Sequence, residues 1–283
     1  MSATLPPAAH IAAVSLLGPG LRDWPAAAEV LAGHAAWQPA PTVLTAPQIL
    51  PPAERRRAGR MVKLALTLGL EAVAAAGADA ATLATIFSSS SGDGLNCHQI
   101  CEALASEDRQ ISPTRFHNSV HNAAAGYWSI ATGATAPASV LCAHDASFSA
   151  GLLEAVVQVA VERIACLLIA YDTDYPAPLR SVRPVPDAFG VALLLTPKPA
   201  QGSFGRLSLQ LTQACADRLH DPALEALRAS IPAARSLPLL TAIARGQGGR
   251  VVLDYLDGTQ LAADLAADSA GASSGLRNVA ACR

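Results

Sequence analysis

The sequence predicts an α/β fold, a layered sheet with flanking helices. Three observations carry that prediction. Short apolar runs that read as buried strands alternate with helical patterns up to about residue 200. The 283 residues suffice to bury a sizeable core. That core is made of Ala, Leu and Val, because 51% of the residues are hydrophobic and only 4% aromatic, and small side chains favour close helix–sheet contacts.

The elements follow in order. "HIAAVSLLGPG" reads as a first strand ending in a Gly-Pro turn. Residues 21–52 are rich in Pro and Ala and read as a connection, with "WQPAPTV" as loop. "PPAERRRAGRMVKLALTLGLEAVAAAG" reads as one helix, with Pro and Glu in its first turn and Gly77 at its stop. "ATLATIFSSSSGD" is a strand emptying into a Ser/Gly turn, and "NCHQICEALAS" a short helix. A loop then leads to a helix around Ala124 to Thr132. Strand "ASVLCAHD", helix 147–163, strand "ACLLIAYDTD", a Pro-rich loop over 176–186 and strand "FGVALLLTP" complete this part. Beyond residue 200, "GRLSLQLTQ" and "GRVVLDYLDGTQLAADL" are strand-like, with Asp257-Gly258 as a hairpin turn and "PALEALRASI" helical between them. This divides the chain into a main unit at 10–200, a short α/β extension at 201–265 and a flexible tail at 266–283.

Composition excludes several function classes. A formal net charge of −2 offers no basic field for nucleic acid or an acidic membrane surface. The long apolar stretches are interrupted by Lys63 and Glu71, and by Glu154, Glu162 and Arg163, so stable membrane insertion is not expected. The first twenty residues lack a basic segment and a long apolar run, which argues against a secretory signal and for the cytoplasm. The six cysteines, Cys97, Cys101, Cys142, Cys166, Cys215 and Cys282, are scattered, which suits a reducing compartment. Cys97 and Cys101 share a helix face beside His98, but no second ligand pair follows, so neither a metal nor a cofactor is expected.

Three stretches carry candidate chemistry. In "SSSSGDG" (88–94), small hydroxyl residues and glycines after a strand could cradle an anionic or carbonyl group with backbone N–H groups, or form a tight packed turn. It lacks the Lys of a phosphate-binding loop. "FHNSVHNAAAGYWSI" brings together His117, Asn118, His121, Asn122, Tyr127 and Trp128 around Ala124 and Ala125. These side chains either supply a general base or oxyanion donor, or tie down a buried loop and pack an interface. "SVLCAHDASFSAGLLEA" (139–155) reads as a strand, a sharp small-residue turn and a helix, where many enzymes place a nucleophile. Here the turn holds Asp145, with Phe148 entering the helix. Cys142 falls in the preceding strand, too early for the dipole of the helix to activate it. A carboxylate at the turn makes a good helix cap. His144 and Asp145, read as neighbours on a strand, would point to opposite faces, which argues against a dyad.

The order of "RQISPTRFHNSVHNAAAGYWSIATGATAP", "SVLCAHDASFSAGLLEA", "LLIAYDTDYP" and "VPDAFGVALLLTP" resembles the N-terminal half of β-ketoacyl synthases, of the thiolase-like fold. The first block is the most specific and is similar to the short chain length factors of aryl polyene and xanthomonadin-type pigment clusters. The resemblance covers roughly residues 10–200 and aligns Asp145 with the family's catalytic cysteine. The family's two later histidine motifs find no counterpart after residue 200.

The resemblance therefore implies a non-catalytic subunit. It would form a heterodimer with a full-length catalytic ketosynthase, meet an acyl carrier protein only indirectly, and wall the partner's acyl tunnel during polyene or fatty-acid-type chain elongation. His117, Asn118, His121, Asn122, Ala124, Ala125, Tyr127, Trp128, Cys142, His144, Asp145 and Phe148 are the tunnel or interface candidates it implies, with no catalytic residue. The extension would close the sheet edge that the missing C-terminal half leaves unpaired. The residues themselves leave another reading open: a stand-alone acyltransferase or thioester hydrolase using Cys142 or a serine of 88–91, with His121 or His144 as base.

Overall fold

The computed structural model describes residues 5–266. Strand β1 (Ala8–Leu17) leads into α1 (Trp24–Ala32), α2 (Pro52–Arg57), α3 (Arg60–Ala76) and β2 (Ala84–Ser88). Helices α4 (Gly94–Ala105), α5 (Pro113–His117) and α6 (Ala123–Thr132) follow, then β3 (Ala138–Leu141), α7 (Ser147–Glu162) and β4 (Cys166–Asp172). The rest comprises α8 (Ala177–Val182), β5 (Phe189–Thr196), β6 (Arg206–Thr212), α9 (Pro222–Ser230), α10 (Leu237–Ala244), β7 (Gly249–Leu256) and β8 (Thr259–Ala266).

The strands form one sheet in the order β3-β2-β4-β5-β1-β6-β8-β7. β2 runs parallel to both β3 and β4, and every other neighbouring pair is antiparallel. Helices cover both faces, which is why β4 is buried at every position and reads as an unbroken apolar run. Alternate residues serve the two layers: Cys166, Leu168 and Ala170 pack under α7, while Leu167, Ile169 and Tyr171 pack under α3 and α6. Two glycines let the helices come close. A Cβ at Gly151 of α7 would lie 2.8 Å from Ser88 Cβ, and one at Gly69 of α3 would lie 2.6 Å from the Trp128 ring.

Local differences from the sequence reading have physical causes. The helix expected over 51–77 is two, broken at Ala58 and Gly59, where the backbone turns extended. α2 buries no side chain, whereas α3 must descend onto the sheet, so one axis cannot serve both. α1 lies inside the expected connection, capped by Asp23, whose carboxylate accepts the Ala26 N–H at 2.8 Å. The Pro-rich loop contains α8, and α10 follows a 3₁₀ turn at Pro232–Ser236. Asp257 and Gly258 do form the two-residue turn between β7 and β8, with Gly258 at φ 73°. Residues 201–266 continue the same sheet, β6 pairing with β1 through Ala8 and Ser208. Apart from Ala266, the tail expected at 266–283 lies outside the described residues.

Candidate functional site

The parallel strands β2, β3 and β4 discharge their carboxyl ends at one place, the usual position of a site on an α/β sheet. The serine run leaves β2, Cys142 follows β3, and Asp172 ends β4. Helix α7 starts among them and is held close through Gly151.

The serine run is used internally. Ser88 Oγ donates to the Ser147 carbonyl at 2.6 Å, and the Ser90 N–H donates to Asp172 Oδ1 at 2.9 Å. Asp172 Oδ2 accepts the Ala233 N–H at 2.8 Å, so one buried carboxylate ties the serine run to the 3₁₀ turn before α10. Burial pushes the Asp172 carboxyl up to about 6, while the Ser90 and Ala233 donors and nearby Arg183 pull the other way. The anion that the Ser90 N–H holds is therefore the protein's own, which is the packed-turn alternative at that position.

The turn between β3 and α7 departs from expectation in three ways. Cys142 lies just beyond β3 rather than within it, exposed, with its thiol donating to the Ser90 carbonyl at 3.0 Å. His144 and Asp145 sit on a 3₁₀ turn, not a strand, with His144 in the left-handed region at φ 50°, a conformation costing about 1 kcal/mol. Their side chains therefore approach, His144 Nδ1 lying 3.6 Å from Asp145 Oδ1. Finally, Asp145 does not cap α7. The turn is closed by Ser147, whose Oγ accepts the Ala143 N–H at 3.0 Å and donates to the His144 carbonyl at 2.7 Å. The Asp145 carboxylate is instead held from two sides, Oδ1 by Arg183 Nη2 at 2.7 Å and Oδ2 by Arg235 Nη2 at 2.9 Å. His144 Nε2 contacts the same Arg183 guanidinium.

The remaining candidates separate into two groups. Ala124, Ala125, Tyr127, Trp128 and Phe148 are buried in this chain's own core. Tyr127 Oη donates to Asn118 Oδ1 at 3.2 Å, and Asn118 Nδ2 donates to the Arg57 carbonyl at 2.9 Å, tying α5 and α6 to α2. Trp128 packs edge-on to Phe87. His121 rests over Gly92, and its Nε2 is buried without a partner. His117 and Asn122 remain exposed and line a groove of about 500 Å³ with Phe116, Val120 and Ile130, Phe116 being 68% exposed. Neither His121 nor His144 hydrogen-bonds Cys142 or a serine of 88–91, so the nucleophile–base pairs of the hydrolase reading are not assembled. Among the described residues no group of three His, Cys, Asp or Glu is placed to hold a metal, and no helix is long and apolar enough to cross a membrane.

Sequence reasoning missed Arg183, Arg235 and Asp172 as parts of this site. The two arginines lie 38 and 90 residues from Asp145, beyond any local pattern. A carboxylate ending the fully buried run of β4 was the one available signal.

Comparison with known proteins agrees with this architecture. The structure of a ketosynthase (ApeO) in complex with its chain length factor (ApeC) from Xenorhabdus doucetiae is similar over 92% of this chain and all of the matched chain, with TM-score 0.70 and 23% identity. The ishigamide ketosynthase/chain length factor is similar over 91% of this chain and 98% of the matched one, with TM-score 0.64 and 14% identity. The AntDE:AntF structure, a type II polyketide acyl-carrier protein in complex with its ketosynthase, is similar over 93% of this chain and all of the matched one, with TM-score 0.76 and 11% identity. At these identities the likeness establishes the fold. No curated protein matches the sequence. The model of the beta-ketoacyl synthase N-terminal domain, however, matches residues 23–250, and the chain belongs to that family.

Proposed function

We propose that this chain is a non-catalytic ketosynthase-like subunit of the chain-length-factor type. It pairs with a full-length catalytic ketosynthase that elongates aryl polyene or related acyl chains on an acyl carrier protein in the cytoplasm. The observation that carries the reading is Asp145, which stands at the strand-to-helix turn where the family presents its nucleophile and is held between Arg183 and Arg235. Condensation needs a thiolate to carry the acyl chain and donors to stabilise the enolate and oxyanion. A carboxylate with both oxygens engaged by guanidinium groups carries no acyl chain as a thioester.

The open edge of the sheet offers the pairing surface. β3 has β2 on one side and no strand on the other among the described residues. Apolar groups flank that open edge on both faces. On one side α7 presents half-buried Leu153 and Val157 and continues to Val161, 73% exposed. On the other, α5, α6 and the turn between them present Phe116, Ile130 and Val120. An open strand with apolar helices above and below is suited to a partner that adds a strand and buries both flanks. In this reading residues 10–200 are the ketosynthase-like part, and 201–265 cover the edge of β1 with β6. His117 and Asn122, exposed beside the same groove, are the candidates that reach the partner's tunnel.

The test is expression of the tagged chain with and without a full-length ketosynthase encoded beside it, followed by measurement of mass in solution. A stoichiometric heterodimer, with the chain unstable or aggregated alone, is the predicted result. A chain that is monomeric and stable in both preparations contradicts it.

A further inference from the structure

Chemistry unaccounted for by this reading lies far along the chain, in the cleft where the connection between β6 and α9 meets the end of α10. Two cavities of about 390 Å³ and 430 Å³ open there and share Leu219, His220, Thr241 and Arg245 in their walls. Their size lies in the range of small-molecule sites.

The polar groups of the cleft are unevenly satisfied. Its carboxylates are engaged: Asp217 accepts the Val252 N–H at 2.9 Å, and Asp221 accepts the Ala223 and Leu224 N–H groups at the start of α9. Arg250 is engaged as well, clamped on Asp264 at 2.8 and 2.9 Å. Left over are donors. The Thr241 hydroxyl is buried without a partner, and the Arg245 guanidinium, at the residue that caps α10, meets no carboxylate among the described residues. Arg218 reaches Glu225 and Asp254 only at 3.6 and 3.8 Å, and the His220 imidazole has no partner among the described residues. The chain between Arg245 and Arg250 is "GQGG", with Gly246 and Gly249 at φ 59° and 143° and open space where a Cβ would stand, so a ligand meets bare backbone there. Two under-used guanidinium groups, an orphan hydroxyl and a glycine loop select an anion rich in acceptor oxygens.

We propose that this cleft binds a phosphate-bearing small molecule, with Arg245 and Arg218 on the phosphate and Thr241 and the glycine loop beside it. The proposal is independent of the pairing reading, since the cleft shares no residue with the β3 edge or with the turn at Asp145.

The test titrates inorganic phosphate, ADP and coenzyme A separately into the full-length chain, in its ketosynthase complex where it purifies only so, and follows binding by calorimetry. Saturable binding of at least one of them is expected, weakened about tenfold or more by Arg245→Gln and by Arg218→Gln. Arg56→Gln, an exposed arginine on α2, controls for general charge and leaves binding unchanged. Arg245 is exposed, so its replacement leaves the fold intact, as unchanged circular dichroism confirms. Phosphate alone saturating assigns the site to the free anion, and ADP or coenzyme A saturating more tightly assigns it to the larger ligand; both support the proposal. Absence of saturation by all three, or equal weakening by Arg56→Gln and Arg245→Gln, overturns it.

Discussion

The two ends of the sheet are built differently. At the β7 end the edge is sealed by the chain itself. Asp217 donates its N–H to the Val252 carbonyl at 2.8 Å and accepts the Val252 N–H on its carboxylate, while Ser149 Oγ donates to the Asp254 carbonyl at 2.7 Å. Beneath it the fully buried Arg228 is held by both oxygens of Glu225, each at 2.8 Å, and by Asp254. At the β3 end nothing comparable is present among the described residues: a four-residue strand stands open between apolar helix faces. Unprotected edges promote association, and proteins blunt those they do not use. Under the proposed pairing, the open end is the one that meets the partner, and the sealed end terminates the sheet.

The comparison can be broken at either end. The largest effect is expected from Arg228→Ala, which removes a fully buried guanidinium from two half-buried carboxylates. It should destabilise the chain by about 3–5 kcal/mol in denaturant titration, with no direct effect on the distant pairing face. Next, Val161→Asp combined with Ile130→Asp places charge on both flanks of the β3 edge. Affinity for the ketosynthase should fall about a hundredfold, read by calorimetry, while Leu256→Asp at the sealed end leaves it unchanged. Equal effects of the two would show that the edges are not functionally distinct.

A graded effect is expected from Asp172, whose carboxyl rises from 3.8 to about 6 on folding, chiefly through burial. The folded state holds this proton more tightly than the unfolded chain, so the group favours folding most at low pH, and that contribution is lost as pH rises through about 6. Thermal stability of the parent should carry a downward component between about pH 4 and 6 that Asp172→Asn lacks, whatever the absolute stability of the variant. The smallest effect is expected from Asp145→Asn. Asp145 and its arginines are partly exposed, at 40% and 22%, so stability should fall by only about 1 kcal/mol. Product yield of the complex should stay near that of the parent.

The sequence made the sealed interior of the sheet legible and its margins less so. β4 and β5 are apolar on both faces and were readable as strands from that property alone. α1 was hidden in a stretch whose Pro content reads as a connection, and α10 received no assignment; Pro25 and Pro238 each sit in the first turn, where proline has no hydrogen bond to lose. The break at Gly59 was hidden because α2 and α3 are both good helix formers, and only the need to lay α3 on the sheet separates them. In the site, the turn at Asp145 was legible from its strand, small-residue and helix pattern. Its arginine partners were not, since contacts so far apart in sequence leave no periodic trace. Whether Ala124 and Trp128 serve the chain's own core or an interface was not legible, because α6 is apolar on nearly all sides, which removes the pattern that tells inside from outside.

The central claim, that this chain holds no acyl intermediate, is tested most directly by intact-mass measurement of both subunits. The purified complex would be incubated with acyl-loaded carrier protein before analysis. The account predicts an acyl adduct on the ketosynthase and none on this chain. An adduct on this chain that maps to Cys142 and disappears in Cys142→Ala would contradict it and make the exposed thiol after β3 the nucleophile.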